Sequence, residues 1–291
     1  MTTSHGIVVV TGASTGMGAA TARELARRGY HVLAGVRRER DGDAIRADGV
    51  EPVILDITAP DQVAALAARV EGSAVRALVN NAGIAVNAPV EALPLADWRR
   101  LFEVNLFGHI AVTQALLPAL LRSRGRIVNI SSVGGRVAMP AYGAYAGSKF
   151  ALEAVSDALR QELAPHGVQV VVVEPGGVRT AMNERGAATA ADLAAGMTGP
   201  QRQRYGDLMR AVMAHADAFT KAGQSAEAAA KVIVKATTAA NPRIRYTIGR
   251  DAAVFIPLSR FLPGRLLDRI VARDLRPHFP KAAGGTVPAR A

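Results

Sequence analysis

The sequence predicts an α/β protein: a doubly wound parallel sheet of about seven strands with helices on both faces. Two observations carry that expectation. Short β-branched runs alternate along the chain with helical stretches of ten or more residues, as parallel strands joined by crossover helices require. Glycines, amides and charged residues also gather just beyond the carboxyl ends of those runs, where such sheets hold ligands.

The first strand is Ile7–Val10, and it feeds directly into Thr11-Gly12-Ala13-Ser14-Thr15-Gly16-Met17-Gly18. A helix from about Met17 to Arg28 follows, ended by Gly29. In this strand, glycine turn and helix, the turn's amides and the helix N-terminus make an anion site suited to a pyrophosphate. The spacing Gly-x3-Gly-x-Gly is one residue longer in its first gap than the usual dinucleotide fingerprint. The same residues also fit Gly-x-Ser-x-Gly, the nucleophile elbow of hydrolases, through Gly12, Ser14 and Gly16. That reading needs earlier strands and an oxyanion loop, and only the first strand precedes Ser14.

Tyr30–Val36 is predicted as the second strand, ending at Arg37 and Arg38, and Pro52–Asp56 as the third, with a helix over Ala59–Val70. The fourth strand, Ala77–Val79, runs into Asn80-Asn81-Ala82-Gly83, small and amide residues that let a backbone pass close to a ligand or make an ordinary turn. A long helical region over about Leu95 to Leu121 should bend at Pro118. Inside it Asn105 interrupts an apolar stretch, as either a structural hydrogen bonder or part of a polar site, since a buried amide must be satisfied. Arg126–Ser131 is the fifth strand and leads to Ser132; Gln169–Val173 is the sixth and ends at Glu174-Pro175-Gly176-Gly177. From Met182 to about Thr220 the pattern loosens and holds four of the seven methionines, Met182, Met197, Met209 and Met213, as a flexible lid over an apolar ligand or as core filler. A helix over Ala226–Thr238 and a seventh strand at Ile244–Ile248 complete the sheet. Residues 1–250 then read as one dinucleotide-binding domain with a lid at about 182–222. Residues 251–291 read as a basic, partly apolar extension, an amphipathic segment capping the domain or resting on a partner.

Composition narrows the function. The chain is 49% apolar with no cysteine, which excludes disulfides, thiolate catalysis and Cys-based metal sites. The six histidines show no metal-ligand spacing, so no metal is expected. No hydrophobic run of about 20 residues suggests a membrane span, and the start lacks the basic region of a secretory signal, so a cytoplasmic protein is expected. Of the net charge of +11, an excess of about seven lies in residues 241–291. Aromatics are not interleaved with it and no reading helix is evident, so no nucleic-acid role is expected.

The stretch Gly143-Ala-Tyr145-Ala-Gly-Ser-Lys149 carries the chemistry. Tyr145 and Lys149 lie four residues apart on a predicted helix and share a face. A phenol titrates near 10, and an ammonium beside it should pull that value toward neutrality. Ser132, thirteen residues upstream, is placed to hold a substrate oxygen against the tyrosine.

These residues resemble the short-chain dehydrogenase/reductase family from about Ile7 to Thr180. The match rests on Thr11-Gly-x3-Gly-x-Gly18, Asn80-Asn-Ala-Gly83, Asn105, Ser132, Tyr145-x3-Lys149 and Pro175-Gly-x3-Thr180. The resemblance implies a Rossmann fold and hydride transfer between a nicotinamide cofactor and an alcohol or carbonyl. Tyr145 would be general acid/base, Ser132 would hold the reacting oxygen, and Lys149 would bind the nicotinamide ribose. Asn105 would anchor a water relaying protons to Lys149. The cofactor would contact Gly12, Ser14, Thr15, Gly16, Met17, Gly18, Ala82 and Gly83, with Asp56 and Asn81 flanking the adenosine half. Further contacts would come from Tyr145, Lys149, Pro175, Gly176, Val178 and Thr180. Tyr142 is a decoy, because Ala146 and not a lysine stands four residues on. The acidic residue that ends strand two in NAD-dependent relatives is replaced by Gly35, with Arg37 two residues on, which points to a 2′-phosphate and NADP(H). Ala-Gly-Val-Arg37 and the glycines after Ser132 look most like the steroid and retinol dehydrogenase branch. The expected activity is on an apolar, lipophilic secondary alcohol or ketone, in a homodimer or homotetramer. A 3-oxoacyl reductase and a non-catalytic NADP(H)-binding redox sensor are the alternatives.

Overall fold

The computed structural model describes residues 5–280. Seven parallel strands form one sheet in the order β3-β2-β1-β4-β5-β6-β7. They are β1 Ile7–Val10, β2 His31–Val36, β3 Val50–Ile54, β4 Val75–Asn80, β5 Arg126–Ile130, β6 Gln169–Pro175 and β7 Arg245–Ile248. Strand order reverses between β1 and β4, which pair with Val8 beside Ala77 and Val10 beside Val79. Beyond their carboxyl ends lies the crevice such a reversal opens.

Near-continuous Val, Ile and Leu in the strands reflects burial on both faces. One face packs α1 (Gly16–Arg27), α2 (Glu39–Ile45) and, beyond the sixth strand, a helix over Ala226–Thr238. Their Ala22, Leu25, Ile45 and Ile233 close over Val8, Val10, Val128 and Val171. The other face packs α3 (Pro60–Arg69), a helix from Leu95 to Ser123, and α6 (Gly143–Leu163). There Leu66, Leu116, Leu120 and Leu163 meet Val9, Leu33, Leu78 and Ile127.

Three expectations need correction. The region from Leu95 is α4 (Leu95–Phe102), a π-helical turn over Glu103–Phe107 and α5 (Gly108–Ser123). The irregularity falls at Asn105, and Pro118 lies inside α5. These pieces join into a 29-residue helix long and apolar enough by length and composition to cross a membrane, contrary to the sequence expectation. Half of its most apolar window is buried, with Leu101, Val112 and Leu116 in the core. The loosened stretch after Met182 is helical, as α7 (Ala181–Ala195) and α8 (Gly199–Ala222). Thr198 and Gln201 form a capping box that starts α8. After α9 (Ala226–Thr238) and β7 come two more helices, α10 (Arg250–Phe261) and α11 (Gly264–Leu275). Of the expected extension, residues 281–291 lie outside the described residues.

Candidate active site

Local geometry at the end of β1 sets the floor of the site. Gly12 has φ +64, and a Cβ there would lie 2.7 Å from Ala82 Cα, so only glycine lets the two strand-end loops approach this closely. Thr11 Oγ1 accepts from the backbone N–H of both Asn81 and Ala82 at 3.0 Å. Asn81 returns the tie, its Nδ2 donating to Thr11 O and Gly12 O at 2.9 and 3.1 Å. Its amide group therefore braces the glycine turn. The Nε2–H of His109, on α5, donates to Ala82 O at 2.7 Å and holds the same loop from behind. Burial first, then the neighbouring Lys149 charge, push this imidazole down to about 3, so it is neutral.

The N-terminus of α1 opens on this floor. Its N-cap, Thr15, makes no side-chain bond to the helix, and the first turn holds no carboxylate. The first-turn N–H groups are thus left for an anion. At the end of β2, a Cβ on Gly35 would lie 2.9 Å from Leu55 Cδ2, so any side chain there would have to displace Leu55. Arg37 is exposed and, among the described residues, makes no ion pair or side-chain hydrogen bond. Arg38 is engaged, its Nε bonding Asp41 at 3.0 Å. Asp56 Oδ1 accepts from Thr58 N and Oγ1, fixing the turn after β3.

Ser132 follows β5, and its Oγ accepts from Gly134 N at 3.0 Å. The Tyr145 ring packs on Gly134, and its phenol shares a hydrogen bond with Ser132. Burial pushes the phenol above its usual value, and the serine bond only opposes that rise. The expected lowering by Lys149 is not seen here. Lys149 Nζ instead donates to Ile130 O at 2.9 Å, and burial pulls the amine down to about 8 while Glu153, one turn on, resists. Asn105 is fully buried. It accepts from Ile84 N and donates to Ile84 O, both at 2.9 Å, and to Ser148 Oγ at 3.1 Å. It fastens the loop after β4 to the helix of Tyr145 and Lys149 and does not line the cavity.

Every other residue named for catalysis or the cofactor does line it. Of the four methionines expected as a lid, Met197 and Met209 do not: they are buried core filler in a cluster with Leu275. One cavity of about 980 Å³ is bounded by Gly12, Ser14–Gly18, Arg37, Asp56, Asn81–Gly83, Ser132, Tyr145, Lys149, Pro175, Gly176, Val178 and Thr180. Thr180 meets Gly16 across it, its Cγ2 3.2 Å from where a Cβ would stand. Tyr142, set aside as a base, lines the cavity too and meets Tyr145 edge-on at 6.5 Å between ring centres. Burial lifts its phenol to about 12. Met182, Val212, Met213 and Phe219 of α7 and α8, with Phe255 and Val271 from α10 and α11, form an apolar wall. Among the described residues no group of acids and histidines is arranged to hold a metal.

Behind the site lies a cluster the sequence did not reveal. Arg136, just after the turn of Ser132, bonds Glu174 Oε1 at 2.8 Å and Glu153 Oε2 at 3.0 Å. Arg245 on β7 bonds Glu153 at 3.1 Å and Asp157 at 2.8 Å. Glu153 and Glu174 are buried, and desolvation pushes Glu153 up despite two guanidinium groups. The segments bearing Ser132, Lys149 and Pro175 are thereby tied to one another.

The short chain dehydrogenase family model matches residues 6–191. An uncharacterized oxidoreductase of Escherichia coli, YbbO, is 35% identical over 91% of this chain and 93% of its own. Mouse retinol dehydrogenase 7 is 37% identical over 91% of this chain and 87% of its own. Human 17-beta-hydroxysteroid dehydrogenase type 6 is 36% identical over 95% and 89%. A short chain dehydrogenase from Burkholderia cenocepacia, solved in complex with NADP, aligns with TM-score 0.73 and 28% identity over 93% of this chain and 99% of its own. With the strand order, the glycine turn and the Ser132–Tyr145–Lys149 cluster, these likenesses show that the chain belongs to the short-chain dehydrogenase family, in its retinol and steroid dehydrogenase branch.

Proposed function

We propose that this oxidoreductase uses NADP(H) and acts on an apolar secondary alcohol or ketone. The observation that carries the reading is a single cavity holding Ser132, Tyr145 and Lys149 at one place and an apolar wall at another. The residues present fit the cofactor. The close approach of Gly12 to Ala82, the uncapped first turn of α1 and the unengaged Arg37 make a cradle for a pyrophosphate and a 2′-phosphate. When bound, the nicotinamide supplies or accepts the hydride.

The protein's own groups manage the proton. The Ser132 hydroxyl, fixed by Gly134 N, orients the substrate oxygen beside the Tyr145 phenol. Tyr145 donates its proton to that oxygen in reduction and takes it back in oxidation. Lys149 holds a positive charge in the buried site and replenishes the proton, and Asn105 keeps the loop after β4 in register with both. The wall of α7, α8, α10 and α11 excludes water and favours a lipophilic substrate. The retinol and steroid dehydrogenases among the relatives, and the NADP in the Burkholderia structure, support this reading.

Steady-state oxidation of NADPH and of NADH with a panel of ketones tests it. Turnover of hydrophobic ketones with NADPH preferred is the expected result. Cofactor binding without turnover of any carbonyl or alcohol would leave the redox sensor.

A further inference from the structure

The outer surface of the last two helices has no part in that chemistry. On α10, Val254, Pro257, Leu258 and Phe261 fall at i, i+3, i+4 and i+7, one apolar stripe along the helix. A surface helix ordinarily turns such a stripe toward the core. This one faces outward: Val254 is 62% exposed, Leu258 37% and Phe261 84%. The buried side of α10 is carried by Ala252 and Ile256 instead. α11 carries apolar residues of its own at its surface, Leu266, 40% exposed, and the half-buried Ile270 one turn on.

Charge surrounds it. Arg250, Arg260, Arg265, Arg269, Arg273 and Arg276 are all exposed, and among the described residues none of them makes an ion pair or a side-chain hydrogen bond. Two of the three carboxylates on these helices are engaged elsewhere. Asp251 accepts from Gly177 N at 2.8 Å, and Asp274 bonds His215 at 2.8 Å. Most of the positive charge of these helices is therefore not neutralised by side chains among the described residues.

We propose that this face of α10 and α11 docks the enzyme on an anionic lipid surface. Apolar side chains projecting between arginines match the boundary between acyl chains and acidic headgroups, each side chain type meeting its own layer. A second copy of the chain fits poorly, because a two-fold interface sets the same patch against itself and would bring all six arginines together. The position of the face adds to the case. Phe255 and Val271, on the same two helices, line the cavity, so its apolar wall backs directly onto the docking stripe. A lipophilic substrate dissolved in the bilayer would then meet the cavity from the docked side.

The test uses the full-length protein and sedimentation with sucrose-loaded vesicles of phosphatidylcholine, alone or mixed with phosphatidylglycerol. Binding should be strong only to the mixed vesicles and should fade as salt is raised. Replacing Arg265, Arg269 and Arg273 together by Gln should weaken binding about a hundredfold, from ~1 kcal/mol per arginine near the surface. Leu258→Ser with Phe261→Ser should also weaken it, while NADPH oxidation with a water-soluble ketone stays unchanged. Equal binding to both vesicle types, or an undiminished triple variant, overturns the proposal. So does a dimer by light scattering that Phe261→Ser dissolves in a protein that ignores vesicles, which would assign the face to a second copy. Vesicle binding is read without turnover, so its failure leaves the oxidoreductase reading standing.

Discussion

Lys149 sits where two demands on an amine conflict. Its buried position favours the neutral form, while its work beside Tyr145 needs the proton. With its value held near 8, the amine is charged below that pH and loses its charge above it. Cofactor affinity, followed by fluorescence titration across the pH range, should fall as pH rises through about 8. Lys149→Met should abolish that step and weaken binding throughout. Tyr145→Phe separates chemistry from binding, because the ring still packs on Gly134 but the transferable proton is gone. Positioned acid-base groups contribute about 10²–10⁴-fold, so kcat should drop by that range with NADPH affinity nearly unchanged. Arg37 sets the third expectation at this scale. One guanidinium–phosphate bond of about 1.5–3 kcal/mol predicts NADPH over NADH by roughly ten- to a hundredfold. Arg37→Ala should remove the preference by weakening NADPH alone, as measured by the affinities of both cofactors in both proteins.

At the scale of elements, the arginine–glutamate cluster and the π-turn do the aligning. Arg136 joins the turn after β5 to α6 and to the end of β6, so its loss leaves Glu153 and Glu174 short of countercharge in a buried place. Breaking one side of a buried pair costs about 3–5 kcal/mol, and urea unfolding of Arg136→Met should show a loss of that order. This cluster was invisible in the sequence because Arg136, Glu153, Glu174 and Arg245 come from four separate elements and carry no local pattern. The same holds for His109, which sits in an apolar helical run and gives away nothing of its bond to Ala82. The strands and the glycine turn were legible, since periodicity and turn chemistry are written locally. α2 was not: Glu39-Arg-Asp-Gly-Asp-Ala-Ile has a glycine inside and little apolar content. Packing sustains it, with Gly42 fitted against Pro52. Nor were α7 and α8, whose Ala-rich sequence has helix propensity but a weak apolar stripe. The site residues were placed by motif, and all but Asn105 reached the cavity. What the motif did not convey was that burial would raise the Tyr145 phenol, a property of the whole surrounding wall.

For the whole molecule, the reversal of strand order between β1 and β4 puts the anion cradle in the centre of the sheet, and the apolar wall to one side of it. A wall of that kind predicts how specificity should scale. Each methylene buried is worth ~0.8 kcal/mol, so kcat/KM should climb about fourfold per added methylene across a series of ketones until the cavity is filled. Flat specificity constants along that series would make Met182 and Met213 plain core, as Met209 already is. The wall has one more property, set by where its parts lie along the chain. Leu275 of α11 closes the cluster that holds Met209 and Val212 of α8, and Asp274 beside it bonds His215. A ribosome delivers the N-terminal part of a domain first. The cradle residues from Gly12 to Lys149 emerge first, Gln224 and Asp251 follow to fix the segment around Gly177, and the greasy side of α8 still waits for α11. During that interval the nascent protein resembles a finished binding site with one shutter open, ready for nucleotide and vulnerable to any sticky neighbour. Early occupation of the cradle would steady the chain during synthesis, and a stop codon ahead of α11 would leave a polypeptide that holds its cofactor yet clumps.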